Sequence, residues 1–234
     1  MPVDPKDKTD KEKFIIQEKE ITLYRRGKGS DPLIVLNTYT GDGSSVYEKL
    51  NELNCPEMNL LVIGNLKWEH DMTPWYAPPL FKDDTSYTGG ADEYLDLLLT
   101  RIIPAAKERI DGEPSYTAIA GYSLAGLFAL FSTYKSDAFD RAASISGSLW
   151  FPDFKEYVLK NEMMKRPDKV YISLGDAEDR SRNPLIRAVR NNTEEIVDHY
   201  RGSGLDVTYE LNHGNHFKDP ALRSAKGILG IIRN

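Results

Sequence analysis

Tyr116-Thr-Ala-Ile-Ala-Gly-Tyr-Ser-Leu-Ala-Gly-Leu-Phe-Ala-Leu130 decides how this chain is read. The stretch predicts a strand, an abrupt turn at a glycine and a lone serine, and then an apolar helix. Gly121-Tyr122-Ser123-Leu124-Ala125-Gly126 fits a nucleophile elbow, a turn so sharp that the serine is held in a strained backbone conformation. Small residues are needed two before and two after that serine, because the flanking backbones nearly touch, and Gly121 and Ala125 meet the need. The geometry aims the Ser123 hydroxyl outward at the carboxyl end of the sheet. It also leaves the Leu124 N–H at a helix N-terminus, where it can stabilise a developing oxyanion. The strict G-x-S-x-G pattern is broken by Ala125, and a serine that merely caps the helix is the plain structural alternative. A strand before and a helix after favour the elbow.

Around this segment the 234 residues suffice for one domain with a sizeable core. A charged tail is expected over residues 1–12, disordered or loosely attached, with one domain over 13–234. That N-terminus has no apolar stretch of the kind a signal peptide carries. The 40% apolar and 28% charged content is ordinary for a soluble protein. A net charge of −6 argues against nucleic acid and anionic membranes as partners. No apolar run approaches the roughly 18 residues that span a bilayer. Cys55 is the only cysteine, so no intramolecular disulfide can form, which fits a cytoplasmic location. Its place before Pro56 in a polar loop reads as an ordinary thiol.

Phe14–Arg25 alternates as an edge hairpin would. Leu33–Leu36, Leu60–Ile63, Tyr116–Ala120, Ala142–Ile145, Val170–Leu174 and Val207–Leu211 are short apolar runs, as expected of strands buried on both faces. Helical patterns fall between them at Val46–Leu53, Asp92–Ile110, Ser123–Tyr134, Asp153–Asn161, Asn183–Arg201 and Pro220–Ile232, and Pro104 should kink or split the second. Alternation of this kind means an α/β fold, a doubly wound and mostly parallel sheet with helices on both faces. Lys67–Gly90 resists the pattern. Its prolines, tryptophans and closing Gly89-Gly90 read as a long ordered loop, and such loops are commonly functional. Trp68, Trp75, Tyr76 and Phe81 should pack over the carboxyl edge of the sheet, either walling a substrate pocket or simply burying against the core.

A serine nucleophile needs a base, and the chain offers four histidines. Doubly wound hydrolases deliver the base in the loop between the last strand and the last helix, which here reads Asn212-His-Gly-Asn-His-Phe217. His216 is preferred to His213, which lies close to the strand end. The acid belongs after Val170–Leu174, where Gly175-Asp-Ala-Glu-Asp-Arg180 offers Asp176, Glu178 and Asp179. The spacing favours Glu178, with Asp179 next and Asp176 a candidate turn cap. The loop after Leu33–Leu36 should supply the second oxyanion donor, the Tyr39 amide ahead of that of Thr38. His213 and His216 make a poor metal pair, without helical register or a cysteine partner, so no metal and no cofactor is expected.

With these residues placed, the chain resembles the esterase family of α/β-hydrolases that includes esterase D and the enterochelin (siderophore) esterases. The resemblance spans roughly residues 30–232. It rests on Asp71-Met-Thr-Pro-Trp75, Phe81–Leu95 with Gly89-Gly-Ala-Asp92, the Gly121–Gly126 elbow, Ser146-Gly-Ser-Leu-Trp150 and Gly214-Asn-His-Phe217. It implies an α/β-hydrolase fold and a serine hydrolase of esters, and it carries onto Ser123, His216 and Glu178. Ala125 stands where the family commonly has glycine. The separate N-terminal domain that some siderophore esterases carry is not expected in this sequence.

The expected activity is that of a serine carboxylesterase acting on a small-molecule ester through an acyl-enzyme. Trp75, Tyr76 and Trp150 are the expected pocket residues, suited to a small or medium acyl or aryl group. Acyl transfer to an alcohol is the neighbouring chemistry. Ligand binding without catalysis is the reading from another class, since a fold alone does not give a function.

Overall fold

The computed structural model describes residues 10–233. The strands are β1 (Lys11–Ile16), β2 (Lys19–Arg25), β3 (Leu33–Asn37), β4 (Asn59–Gly64), β5 (Tyr76–Ala77), β6 (Tyr87–Thr88), β7 (Thr117–Tyr122), β8 (Arg141–Ile145), β9 (Lys169–Gly175) and β10 (Val207–Asn212). All but the short β5–β6 pair form one sheet in the order β1-β2-β4-β3-β7-β8-β9-β10. β1 with β2 and β2 with β4 run antiparallel, and every pairing from β4 to β10 is parallel. The β1–β2 turn uses Gln17 and Glu18, both at positive φ, which matches the right-handed twist of the flanking strands.

The helices are α1 (Ser44–Glu52), α2 (Trp68–Asp71), α3 (Ala91–Leu97), α4 (Ile103–Ile110), α5 (Leu124–Lys135), α6 (Phe154–Lys160), α7 (Pro184–Arg187), α8 (Val189–Gly202) and α9 (Pro220–Ile232). They cover both faces of the sheet. Successive side chains of a strand point to opposite faces. Leu33 and Val35 therefore join the core under α3, α4, α5, α6 and α8. Ile34 and Leu36 join the core under α1 and α9. The result is an α/β-hydrolase fold with a mostly parallel sheet. Among the described residues no helix is long and apolar enough to cross a membrane.

Four expectations need correction. The tail expected over residues 1–12 falls largely outside the described residues, but Lys11 and Glu12 belong to β1. Glu12 is drawn into the sheet by Arg25 at 2.7 Å and Arg109 at 3.1 Å. The helix expected over Asp92–Ile110 is three pieces, with a π-helical stretch at Leu98–Ile102 between α3 and α4. Pro104, in the first turn of α4, has no N–H for the preceding turn and crowds its carbonyl, so the winding loosens there. Asn183–Arg201 is likewise α7 and α8, joined at Ala188. Finally, Lys67–Gly90 is not wholly irregular, for it contains α2 and the β5–β6 pair.

Candidate active site

Ser123 sits between β7 and α5 with φ 62° and ψ −125°, a conformation that non-glycine residues rarely adopt. The surroundings hold it there. Its N–H donates to the Ile145 carbonyl at 3.1 Å, and its carbonyl accepts from Gly126 at 2.9 Å and Ser148 at 3.0 Å. A side chain at Gly121 would run into the Ala125 backbone, and one at Gly126 would come within 2.9 Å of the Gly147 Cα. These close approaches explain the small residues about the serine.

The loops after β9 and β10 bring the expected partners to it. Nε2 of His216 lies 3.1 Å from the Ser123 Oγ, and its Nδ1 lies 2.7 Å from Oε2 of Glu178. An ionised carboxylate only accepts hydrogen bonds, so Nδ1 carries the ring proton and Nε2 is left to accept from the serine hydroxyl. Glu178 is buried. Burial pushes its carboxyl up, but the hydrogen bond and charge of His216, with the Gly175 amide, outweigh burial and hold it below its ordinary value. Its Oε1 accepts from that amide at 2.6 Å. Asp176 instead caps the turn, accepting from the Gly214 amide at 2.8 Å and facing His213 at 3.2 Å. His213 and His216 therefore point to different carboxylates and do not converge on a common centre. No group of His, Cys, Asp and Glu among the described residues could hold a metal ion.

The Thr38 N–H is committed to the Ile63 carbonyl at 2.9 Å, so of the two loop amides it is Tyr39 that is left over. Among the described residues neither the Tyr39 nor the Leu124 amide has a hydrogen-bond acceptor. Tyr39 and Leu124 line two neighbouring cavities that both reach Ser123 and His216.

Of the expected pocket residues only Trp150 lies in these cavities. Trp75 belongs to the scaffold. Its ring packs among Phe151, Phe154 and Tyr157, and its Nε1–H donates to the Pro152 carbonyl at 3.0 Å. Tyr76 is 67% exposed on the short β5 strand and faces neither cavity. Residue type marked out the aromatic rings of this region, but it could not say which of them turn towards the cavities. Of the other rings expected over the carboxyl edge, Trp68 and Phe81 do line the same cavity as Trp150, joined there by Tyr87 and Phe217.

The sequence reading missed Arg223, near the start of α9. Only 2% exposed, its guanidinium donates to Glu178 Oε1 at 3.2 Å, Ser146 Oγ at 3.2 Å and the His213 carbonyl at 3.1 Å. Beside it, the Tyr122 hydroxyl donates to the His216 carbonyl at 2.5 Å. A signal was present: Arg223 stands four and eight residues before Gly227 and Ile231 on the buried stripe of α9, so its charge needs a buried counter-charge.

The sequence profile of the family described as "Putative esterase" matches residues 38–218, well over half of the chain. The uncharacterized protein YbbA of Bacillus subtilis (strain 168) is 27% identical over 193 residues, covering 78% of this chain and 76% of YbbA. Among solved structures, the siderophore hydrolase EstB from Aspergillus nidulans superposes with a TM-score of 0.74 at 20% identity, covering 97% of this chain and 96% of EstB. An IroE-like serine hydrolase from Shewanella oneidensis gives 0.73 at 17% identity, covering 90% of this chain and 74% of its own. At such identities the two structures speak for the fold, and the profile speaks for the family. The chain belongs to this esterase family and is a serine-type hydrolase on the α/β-hydrolase fold.

Proposed function

We propose that this enzyme hydrolyses carboxylic esters with Ser123 as nucleophile, His216 as general base and acid, and Glu178 as the group that orients His216. As the Ser123 Oγ bonds to the ester carbonyl carbon, its proton passes to Nε2 of His216. The amides of Leu124 and Tyr39 take the oxyanion of the tetrahedral intermediate. Collapse breaks the bond to the alcohol oxygen, which leaves with the proton from His216. Water then attacks the acyl-enzyme, giving its proton to His216, and the acid departs as that proton returns to Ser123. Glu178 accepts the Nδ1–H throughout and stabilises the imidazolium.

The observation that carries this reading is the unbroken run from Glu178 through His216 to Ser123, with contacts of 2.7 and 3.1 Å. The strained backbone of Ser123 supports it too, since strain of this kind persists where it is used. The test is covalent labelling with a fluorophosphonate, paired with p-nitrophenyl butyrate hydrolysis. Wild-type protein should label once and turn over, and Ser123→Ala should do neither. A folded Ser123→Ala protein with wild-type hydrolysis would overturn the proposal.

A further inference from the structure

Ser123 and His216 do not lie at the bottom of one pocket. They sit on the seam between two cavities, one of about 520 Å³ and the other of about 450 Å³. The first lies on the α1 and α9 side, walled by Leu36, Val46, Tyr122, Pro220 and Ala221. The second lies towards α7 and α8, walled by Leu80, Tyr87, Trp150, Ile186 and Val189. Trp68, Glu69 and Phe217 belong to both, as Ser123 and His216 do.

Each cavity alone falls in the roughly 300–1,000 Å³ range of sites that hold whole small ligands. An acetyl group, or a short alcohol, would leave nearly all of either one unfilled. Both walls are largely apolar, so each gains by taking an apolar group out of water. The rim carries the same message. Tyr39 is 66% exposed at the first cavity, Phe81 is 56% exposed at the second, and Phe217 is 84% exposed over both. Large exposed rings clustered about a nucleophile mark a surface that a ligand covers.

From this we infer that the substrate is an ester joining two sizeable apolar or aromatic parts, one per cavity, with the scissile bond on the seam. It is an internal linkage of a larger molecule and not a short acyl cap on an alcohol. The inference rests on the proposed ester hydrolysis and names its substrate class. Binding energy from the two remote arms then serves the reacting centre, so long arms raise kcat/KM.

The test uses four esters: acetate or 3-phenylpropanoate, each of ethanol or of 2-(2-naphthyl)ethanol, with kcat/KM read by chromatography. Each large arm should raise kcat/KM by about tenfold or more, since a single well-buried methylene can be worth that much. The doubly large ester should be the best of the four. Ala221→Trp fills the first cavity and Ile186→Trp fills the second. Each should cancel the gain from one arm while leaving the gain from the other, and the two should cancel different arms. Equal rates on all four esters, or a preference for ethyl acetate, would overturn the inference. So would both variants cancelling the same arm. If the wild type labels with fluorophosphonate but ignores both arms, only the substrate class fails. If it neither labels nor cleaves any of the four, the ester hydrolysis itself fails.

Discussion

Arg223 holds the one oxygen of Glu178 that His216 does not use. The two side chains, 3% and 4% exposed, meet at 3.2 Å, and the same guanidinium reaches back to the His213 carbonyl. Glu178 and the loop bearing His216 are thus fixed to one group on α9. Arg223→Met should lower kcat by roughly 10²-fold while leaving KM nearly unchanged, because a displacement of about 1 Å in a catalytic group costs that much. Arg223→Lys keeps the charge but loses the fork, and should fall between. Steady-state kinetics on p-nitrophenyl butyrate, with melting curves to show folding, would check this. A change confined to KM would contradict it.

The neighbouring carboxylates separate cleanly. Glu178→Gln should lower kcat by about two to four orders of magnitude, since the wrong tautomer is then favoured and the imidazolium loses its partner. Asp176→Asn should cost far less, because Asp176 binds the Gly214 amide and an exposed His213 ring. Asp179→Asn should be nearly silent. If Asp176→Asn were the crippling change, the assignment of the acid would be wrong.

Two glycines predict opposite outcomes. Gly121→Ala forces a methyl group into the Ala125 backbone and should cost about 3 kcal/mol with loss of activity. Gly202→Ala, at the end of α8 with nothing within 4 Å, should be neutral or more stable by about 0.5 kcal/mol. Urea midpoints of the two variants measure the contrast.

Trp75→Ala should be a stability lesion of roughly 3 kcal/mol, at the low end for a tryptophan packed against a core. Selectivity between short and long acyl chains should not change. Trp150→Ala should alter that selectivity, because Trp150 faces the cavity beside Ser123. A selectivity change in Trp75→Ala would return that ring to the pocket.

Asp42, in the loop that carries Tyr39, is held by Lys13 at 2.8 Å and Lys11 at 3.4 Å from β1. The Lys13 hydrogen bond leads the effects that lower its carboxyl, with Ser44 and Lys11 adding to it and partial burial opposing. A carboxyl lowered on folding contributes stability that is complete above its unfolded value near 3.9 and is lost as pH falls through the folded value. The urea midpoint should therefore fall between pH 5 and pH 2 by less in Asp42→Asn than in wild type. Identical acid profiles would show that the contact contributes nothing.

The sequence disclosed most where local rules act alone. Gly121, Ser123 and Ala125 were legible because a strand-to-helix turn admits few residues. Glu178 and His216 were legible because loops at the carboxyl ends of parallel strands converge. The direction of Trp75 was not, since it depends on the Pro152 carbonyl, 77 residues away. Arg223 was missed for a related reason: its place on the stripe of α9 signals burial, but its partner Glu178 lies 45 residues away. The break at Leu98–Ile102 was half visible, for Pro104 announced a fault without saying that the backbone would widen instead of kinking.

The order of the elements along the chain has a consequence for biosynthesis. Ser123 lies between β7 and α5, whereas His216 and Arg223 follow β10, close to the C-terminal end of the described residues. A ribosome therefore makes Ser123 well before it makes His216 and Arg223. β10 can take its place only beside β9, at the edge of the sheet. On the roles proposed above, a nascent chain that has reached α5 carries Ser123 without His216, and the proposed hydrolysis should begin only once β10 and α9 have been made.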